Sequence, residues 1–288
     1  MEIIIIGILL GGTYALVAMG LQLQYGVARI MNLANGEVLV AGAFCTFWFF
    51  TGFKMSPFWA LSFIIPLAFV VNWLIYRYLM LPLVKRAKSH GQLEVDSILS
   101  TFGISFIFVG VLLAVFGGDY LSYNYFDEAL LILGEKYGLN RVVSFLAAGV
   151  VAIGLYVWLI RTRAGLTLRA VSVNPAAASL VGINVTNASA FAFALGGAVT
   201  ATGGMLLSMF LTFDASLGVI FTLKALVIVI MGGVSDIRGT ILAAFILGFA
   251  ETAVAILIDP GLTLAAAYVL FLIVLLVRPE GLFGRQTT

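Results

Sequence analysis

IIIIGILLGGTYALVAMGLQLQ, residues 3–24, contains no charged side chain. A helix of about 20 apolar residues is long enough to cross a hydrocarbon core of roughly 30 Å. Further apolar runs occupy residues 36–52, 58–80, 96–117, 141–160, 188–212, 220–232, 240–258 and 262–277. The runs lack the alternation of membrane strands, and backbone groups in lipid must be paired within their own segment. The sequence therefore predicts an all-α fold: a polytopic transmembrane helical bundle of about 8–9 membrane segments forming a single domain, 1–288.

Two of these runs, 36–52 and 220–232, are short for a membrane crossing. A broken or re-entrant helix is tolerated at membrane depth where its backbone is buried in protein or lines a cavity. We therefore expect breaks or re-entrant segments at these two places.

The composition excludes a soluble globule, because 62% of the residues are hydrophobic and only 10% are charged. An average soluble domain is about half apolar and about a quarter charged. The net charge of +2 is too small to indicate a nucleic-acid partner. A single cysteine, Cys45, excludes an internal disulfide and a multi-thiol metal site. No basic segment precedes the first run, so we expect it to be a retained span and not a cleaved signal peptide.

The distribution of Lys and Arg predicts the orientation, because cytoplasmic loops of membrane proteins carry an excess of both. With the N-terminus periplasmic and the C-terminus cytoplasmic, the basic residues on the inner side are Arg29, Arg77, Lys85, Arg86, Lys88, Arg161, Arg163, Arg169, Arg238, Arg278 and Arg285. Those on the outer side are Lys54, Lys136, Arg141 and Lys224. The long loop 117–140 is acidic and aromatic, and this orientation makes it periplasmic. The segment 161–187 becomes a cytoplasmic loop.

Polar residues within the spans are candidates for a translocation path, because polar groups are costly inside a membrane. Asn32, Asn35 and Glu37 lie in ARIMNLANGE (28–37), which forms either a capped inner turn or an unwound stretch that lines the path. Glu251 lies near the middle of its span and needs a partner or a watery cavity. Lys224 is placed to extend towards the headgroups, and a pair with Glu251 is also open.

Small residues crowd the run 188–212, where FALGGAVTATGGMLLS (193–208) contains four glycines. Glycines permit close approach of helices in membranes, so we expect tight packing at Gly196, Gly197, Gly203 and Gly204. The hydroxyls of Thr200 and Thr202 could instead face a polar conduit.

Motifs that carry chemistry are absent from the sequence. It contains no G-x-x-x-x-G-K-[ST] phosphate loop and no G-x-S-x-G nucleophile elbow. His90 lies in the charged loop 85–96 without the Cys, His and carboxylate neighbours that a zinc site requires. We therefore expect no catalytic residue, no metal site and no cofactor in this chain.

The segment RTRAGLTLRAVSVNPAAASLVGINV (161–185) is polar compared with the runs on either side. Asn174 is a good helix cap, Pro175 suits the first helical position, and Gly182 suits the residue after the last turn. The pattern predicts a short amphipathic helix. It is either an interfacial helix that lies on the inner leaflet or a ligand for the groove of a cytoplasmic partner.

Several segments together resemble one family, the permeases of branched-chain amino acid ABC importers. They are G-x-x-x-R-A-V-S-x-N-P-x-A-A-x-L-x-G-I-N (165–184), YGVARIMNLANGE (25–37), MGGVSDIRGTILAAFILGFAE (231–251) and RPEGLFG (278–284). The resemblance extends from about residue 5 to 284 and is closest to the shorter of two paralogous permeases. Ser235 stands where the family has a glycine, and Asn35 where it often has histidine or glutamine.

The resemblance implies an ATP-driven importer that moves branched-chain or related amino acids across the bacterial inner membrane by alternating access. The implied partners are a longer paralogous permease in a heterodimer, two ATPase subunits that bind ATP and Mg²⁺, a periplasmic binding protein, and membrane lipid. The ATPase-coupling residues are expected to be Arg163, Gly165, Arg169, Asn174, Pro175, Ala178 and Gly182. The translocation-path residues are expected to be Thr13, Tyr14, Gln22, Asn32, Asn35, Glu37, Thr200 and Glu251.

Other functions stay open from the sequence alone. Urea and short-amide permeases share these segments, so another small polar solute is an alternative substrate. A stand-alone ion-coupled carrier would need paired buried acids and bases, for which Glu37 and Glu251 are the obvious acidic candidates. An intramembrane enzyme is disfavoured by the missing catalytic motifs.

Overall fold

The computed structural model describes residues 2–132, 135–234, 236–278 and 281–283, and for His90 and Ile132 it describes only the backbone. The helices are α1 Glu2–Ala28, α2 Asn35–Phe53, α3 Pro57–Ile75, α4 Leu81–Arg86, α5 His90–Phe116, α6 Leu139–Arg161, α7 Arg163–Val173, α8 Pro175–Leu180, α9 Val185–Ser208, α10 Gly218–Gly232, α11 Ile237–Leu257 and α12 Thr263–Val277. A π-helical turn, Tyr76–Met80, joins α3 to α4, and a 3₁₀ turn, Pro260–Leu262, precedes α12.

The predicted membrane segments correspond to helices. Eight helical stretches are long and apolar enough to cross a membrane, and α10 is shorter at 15 residues. The prediction of a polytopic helical bundle is therefore confirmed. The expected break in 36–52 is wrong, because α2 is continuous over 19 residues and the non-helical backbone lies just before it.

The run 188–212 was predicted to be one span, but α9 ends four residues earlier, at Ser208. The chain then turns, and Phe213 forms a pair of backbone hydrogen bonds with Leu121 in the loop after α5. This bridge takes the backbone partners that a continued helix would have used. It also joins the 117–140 loop to the connection between α9 and α10.

The loop 117–140 contains a small β-hairpin that the sequence did not predict. Strand β1 (Ala129–Ile132) pairs antiparallel with β2 (Glu135–Gly138). Nearer α5, Tyr123 is buried, and its hydroxyl lies 2.9 Å from Ser208 Oγ. Burial raises the pKa of Tyr123 to about 12, against a smaller lowering by the Ser208 hydrogen bond. The phenol therefore stays neutral at physiological pH and anchors the loop to α9.

Helix α9 is the centre of the bundle, because 89% of the residues in its most apolar 18-residue stretch are buried. Its four glycines lie directly against neighbouring helices, as predicted. Gly196 contacts the carbonyl of Gly20 in α1, and Gly204 contacts that of Leu39 in α2. Because a Cβ at either position would collide with backbone, glycine is what permits the close approach of these helices.

Helices α1 and α11 form a second close contact through small residues. A Cβ added to Gly248 in α11 would lie 2.7 Å from the backbone nitrogen of Gly11 and 2.7 Å from the carbonyl oxygen of Gly7, both in α1. Helices α3, α5, α6 and α12 carry many exposed apolar side chains on the outside of the bundle. Those faces suit a lipid environment.

The bundle has two ends, each defined by the elements that it contains. The hairpin end contains the β-hairpin and the starts of α1 and α6. The α7–α8 end contains the ends of α1 and α6, the turn between α10 and α11, and helices α7 and α8. One cavity is lined by the starts of α1 and α6, and another by the ends of α1 and α6, by α7 and by the α10–α11 turn, which shows that these elements lie together. The hairpin contacts α6 through β2, and α8 contacts α7.

Candidate translocation and coupling sites

Two helices begin inside the bundle, and their first turns meet. The backbone nitrogen of Gly36, in the first turn of α2, donates to Thr222 Oγ1 of α10 at 2.7 Å. The Thr222 hydroxyl donates in turn to the Leu33 carbonyl at 3.0 Å. A side chain on Gly36 would collide with the Gly218 carbonyl, so glycine is needed for this approach. The first turns of helices carry partial positive charge, which makes their meeting point suited to a negative group.

Glu37 occupies that position. Its side chain is fully buried, and Ser105 of α5 donates a hydrogen bond to its Oε1 at 2.9 Å. Its Oε2 has no hydrogen-bond partner among the residues that the structure describes. A buried carboxyl oxygen without a donor is costly unless water or a ligand supplies one.

Two separate pairs of amide and hydroxyl groups join α9 to the start of α2 and α1 to the α1–α2 connection. Thr200 donates to Asn35 Oδ1 at 2.9 Å. Asn32 Nδ2 donates to Gln24 Oε1, also at 2.9 Å, and Asn32 Oδ1 accepts from the backbone nitrogen of Ala34 at 3.0 Å. The segment before α2 is therefore unwound and held by side-chain hydrogen bonds, and the residue at the N-cap of α2, Ala34, makes no side-chain capping hydrogen bond. That this segment lines the translocation path stays a prediction.

A second polar group lies between α1, α10 and α11. Lys224 Nζ lies 2.8 Å from Glu251 Oε2 and 2.8 Å from the Tyr14 hydroxyl, and Tyr14 donates to the same carboxylate oxygen at 2.8 Å. All three side chains are largely buried. Of the two possibilities that the sequence left for Lys224, the pair with Glu251 is confirmed. The expectation that Lys224 extends to the headgroups is wrong.

All eight predicted path residues are buried within the chain. Thr13 donates to the Leu10 carbonyl of its own helix, so its hydroxyl is already used. Gln22 lines the cavity at the α7–α8 end, and Glu251 lines the cavity at the hairpin end. The remaining residues belong to the hydrogen-bonded groups described above and line neither cavity. A continuous path through the single chain stays a prediction.

The cavity at the α7–α8 end has a volume of about 700 Å³. Its charged lining residues are Arg29, Glu94, Arg169, Asp236 and Arg238. Tyr25 donates to Glu94 at 3.0 Å, and Arg238 Nε donates to the Tyr156 hydroxyl at 2.9 Å. The cavity thus has charged groups among apolar ones, and hydrogen bonds between helices join its walls.

The segment 161–187 forms two helices, where the sequence predicted only the second. Asn174 caps α8 by accepting from the Ala177 backbone nitrogen at 3.0 Å, and Pro175 is the first helical residue. Gly182 follows α8 with φ +83°, a conformation that glycine adopts without strain. The predicted short helix and its boundary residues are confirmed.

Of the other predicted coupling residues, Arg163 is exposed, Arg169 donates to the Ile160 carbonyl at 3.2 Å, and Gly165 packs against the backbone of Leu159. Ala178 is only 4% exposed, so its methyl group packs inside this chain. The apolar surface that α8 leaves open is formed by Leu180, 88% exposed, and Val181, 76% exposed. These two residues could not be singled out from the sequence, because cap chemistry identifies positions that shape the helix and not positions that protrude from it.

Comparison with known proteins gives the family. The family described as "Branched-chain amino acid transport system / permease component" matches residues 3–277. The chain belongs to this permease family.

Several relatives are similar over nearly the whole chain. The permease is 28% identical to the high-affinity branched-chain amino acid transport system permease protein LivH of Salmonella typhimurium, over 97% of its own length and 94% of the relative's. It is 27% identical to BraD of Pseudomonas aeruginosa, a permease protein with the same description, with the same coverage. It is also similar to the ribose import permease protein RbsC of Haemophilus influenzae, 28% identical over 57% of this chain and 54% of that protein.

Among solved structures, the permease is similar to PsaBC from Streptococcus pneumoniae in complex with Fab. The TM-score is 0.50 at 11% sequence identity, with 98% of this chain and 94% of that chain covered. At this identity the similarity concerns the fold alone.

Polar residues that the sequence did not single out complete the group around Asn35 and Glu37 in the permease. Gln24, Ser105 and Thr222 are buried among the residues around Asn35 and Glu37. Each is a single hydroxyl or amide in an apolar run, which gives no local signal of its partner. Ser235, Pro279, Glu280, Gly284 and Arg285, which belong to the sequence motifs and the charge count, lie outside the described residues.

Proposed function

We propose that this permease is the translocation subunit of an ATP-driven importer in the bacterial inner membrane, with the N-terminus periplasmic and the C-terminus cytoplasmic. The relatives' descriptions favour branched-chain amino acids as the substrate. Urea, a short amide or another small polar solute is the alternative within the same class. ATP hydrolysis would occur on two separate ATPase subunits that bind ATP and Mg²⁺.

One observation carries the proposal: Leu180, the last residue of α8, and Val181, which follows it, are exposed apolar side chains at the end of the bundle opposite the hairpin. A short helix whose apolar residues protrude suits the groove of a partner protein. Helix α7 packs against α1, α6 and α9, so a displacement of α8 has contacts through which it can reach the core. We place the ATPase subunits at this end and the periplasmic binding protein at the hairpin end. A longer paralogous permease completes a heterodimer.

A pair of matched substitutions tests these placements. Leu180→Glu puts a charge on the exposed tip of α8, and Leu131→Glu puts the same charge on the exposed face of β1 at the opposite end. In the assembled importer we expect Leu180→Glu to abolish co-purification of the ATPase subunits, because an unpaired charge is strongly disfavoured in a buried contact. Leu131→Glu should retain the ATPases and weaken the effect of the binding protein on ATP hydrolysis. Retention of the ATPases by Leu180→Glu would contradict the docking role.

A stand-alone ion-coupled carrier is the second candidate, favoured by the buried pair of Lys224 and Glu251. Buried ionisable groups in membrane segments often belong to ion pathways. The two functions differ in what drives uptake. An importer requires the ATPase subunits, whereas a carrier works without them.

A further inference from the structure

A cavity of about 290 Å³ lies at the hairpin end, separate from the larger cavity at the α7–α8 end. Its walls come from the start of α1, the start of α6, the residues after α9, the end of α11 and the start of α12. Small-molecule sites usually measure about 300–1,000 Å³, so this cavity has room for one small solute.

Glu251 is one of the residues that line the cavity, and it has a buried acceptor without a donor. The carboxylate is only 2% exposed and uses Oε2 for both Lys224 and Tyr14. Its Oε1 is buried without a hydrogen-bond partner among the described residues, and Glu251 lines the cavity. A buried carboxylate oxygen without a partner carries a desolvation cost that a ligand N–H group would relieve.

Arg141 supplies the opposite charge. It is the third residue of α6, it lines the same cavity, and its side chain is exposed. Its guanidinium lies over the Phe210 ring, 5.8 Å from the centroid, which directs it across the residues that follow α9. A guanidinium is a good partner for a carboxylate.

The rest of the lining is largely apolar. Ile6, Leu9 and Leu10 come from α1, and Ile256 comes from α11. Such walls suit a hydrocarbon side chain, whose transfer out of water is favourable. The cavity therefore combines an acceptor for an ammonium group, a cation for a carboxylate and an apolar wall.

The charged groups together favour a zwitterion over a simple ion. Lys224 and Glu251 neutralise each other, which leaves the positive charge of Arg141, so a cationic ligand would add to a positive excess. An anionic ligand would balance Arg141 but could not donate to Glu251 Oε1. A zwitterion supplies both a carboxylate for Arg141 and a donor for Glu251.

We propose that this cavity is a binding site for the free zwitterion of an apolar α-amino acid, with the ammonium group donating to Glu251 Oε1, the carboxylate facing Arg141 and the side chain against α1. The proposal rests on the proposed function, because it assigns a site within this chain to the imported substrate. An ethanolamine phospholipid has the same chemistry of ammonium and anion, so the experiment must separate the two sources.

The experiment measures binding of radiolabelled leucine to the full chain in lipid nanodiscs made of phosphatidylglycerol. Leucine methyl ester, which lacks the carboxylate, and 4-methylpentanoate, which lacks the ammonium, serve as competitors. We expect each to compete at least about tenfold more weakly than leucine, because each loses one charge-assisted contact. Ethanolamine phospholipid added to the nanodiscs should leave leucine binding unchanged.

Two pairs of variants assign the binding to this cavity. Ala255→Phe fills it from α11, and Ala253→Phe places the same ring on α11 outside the cavity lining. Arg141→Gln removes the cavity's guanidinium, and Arg86→Gln removes an exposed one at the other end of the bundle. Ala255→Phe and Arg141→Gln should each weaken leucine binding about tenfold or more, and the two controls should bind as the wild type does.

The assignment is overturned if wild-type chain does not bind leucine, if Ala255→Phe binds it as well as Ala253→Phe does, or if ethanolamine lipid displaces it. ATP-driven leucine uptake by the assembled wild-type importer is measured in parallel. Uptake without binding in this cavity refutes the site and leaves the proposed function standing. A complete lack of leucine uptake refutes the proposed substrate itself.

Discussion

Lys224 and Glu251 show how much a single residue's sequence context reveals. An acid in the middle of an apolar run needs a partner, and this need could be predicted from the sequence. Its partner is 27 residues away on another helix, and Tyr14 is 237 residues away. Because helix packing decides which of the buried donors meets the acid, the sequence left the pair open.

Removing one member of this pair should be more damaging than removing both. We expect Lys224→Met to lower the free energy of unfolding by about 3–5 kcal/mol, because it leaves Glu251 as an uncompensated buried charge. The double variant Lys224→Met, Glu251→Gln should recover a large part of that loss. Thermal unfolding of the purified chain in detergent measures both, with the exposed Lys85→Met as a control. Equal destabilisation by the single and the double variant would contradict the pairing.

At the scale of elements, the existence of the helices could be predicted and their interruptions could not. Periodicity and length locate the apolar runs, and cap chemistry locates α8 from Asn174 and Gly182. The end of α9 at Ser208 depends on the bridge between Leu121 and Phe213. That bridge joins distant parts of the chain, so no local pattern reports it.

The α1–α11 contact gives a prediction at this scale. Gly248→Ala places a methyl group against the α1 backbone, whereas Gly103→Ala in α5 meets nothing within 4 Å. Alanine is the better helix former by about 1 kcal/mol, so Gly103→Ala should be neutral or stabilising. Gly248→Ala should be destabilising by about 1–3 kcal/mol, because α1 and α11 must separate. Thermal unfolding of the two variants in detergent measures the difference in stability. Stabilisation by Gly248→Ala would show that the helices are not in close contact.

At the scale of the whole molecule, the bundle places the hairpin and α8 at opposite ends. The excess of Lys and Arg predicts which end is cytoplasmic, since the membrane itself imposes the rule. The number of membrane segments also follows from the sequence. The two polar groups in the interior do not, because they are assembled from α1, α2, α5, α9, α10 and α11 together.

Cysteine labelling in intact cells tests this orientation. Cys45→Ala removes the one native cysteine, after which Leu131→Cys and Leu180→Cys each introduce an exposed thiol at one end. A membrane-impermeant maleimide added outside should label position 131 and leave position 180 unlabelled until the cells are opened. Labelling in the reverse pattern would show that the orientation is the opposite of the predicted one.

The central claim, import driven by ATP hydrolysis on partner subunits, is tested most directly by leucine uptake into proteoliposomes. The vesicles contain the permease with its paralogue, with or without the ATPase subunits, and ATP is supplied on the ATPase side. We expect uptake to require the binding protein, the ATPases and ATP, and to be lost in the Leu180→Glu variant. Uptake that continues without ATPase subunits and follows a proton or sodium gradient would contradict the claim and favour the ion-coupled carrier.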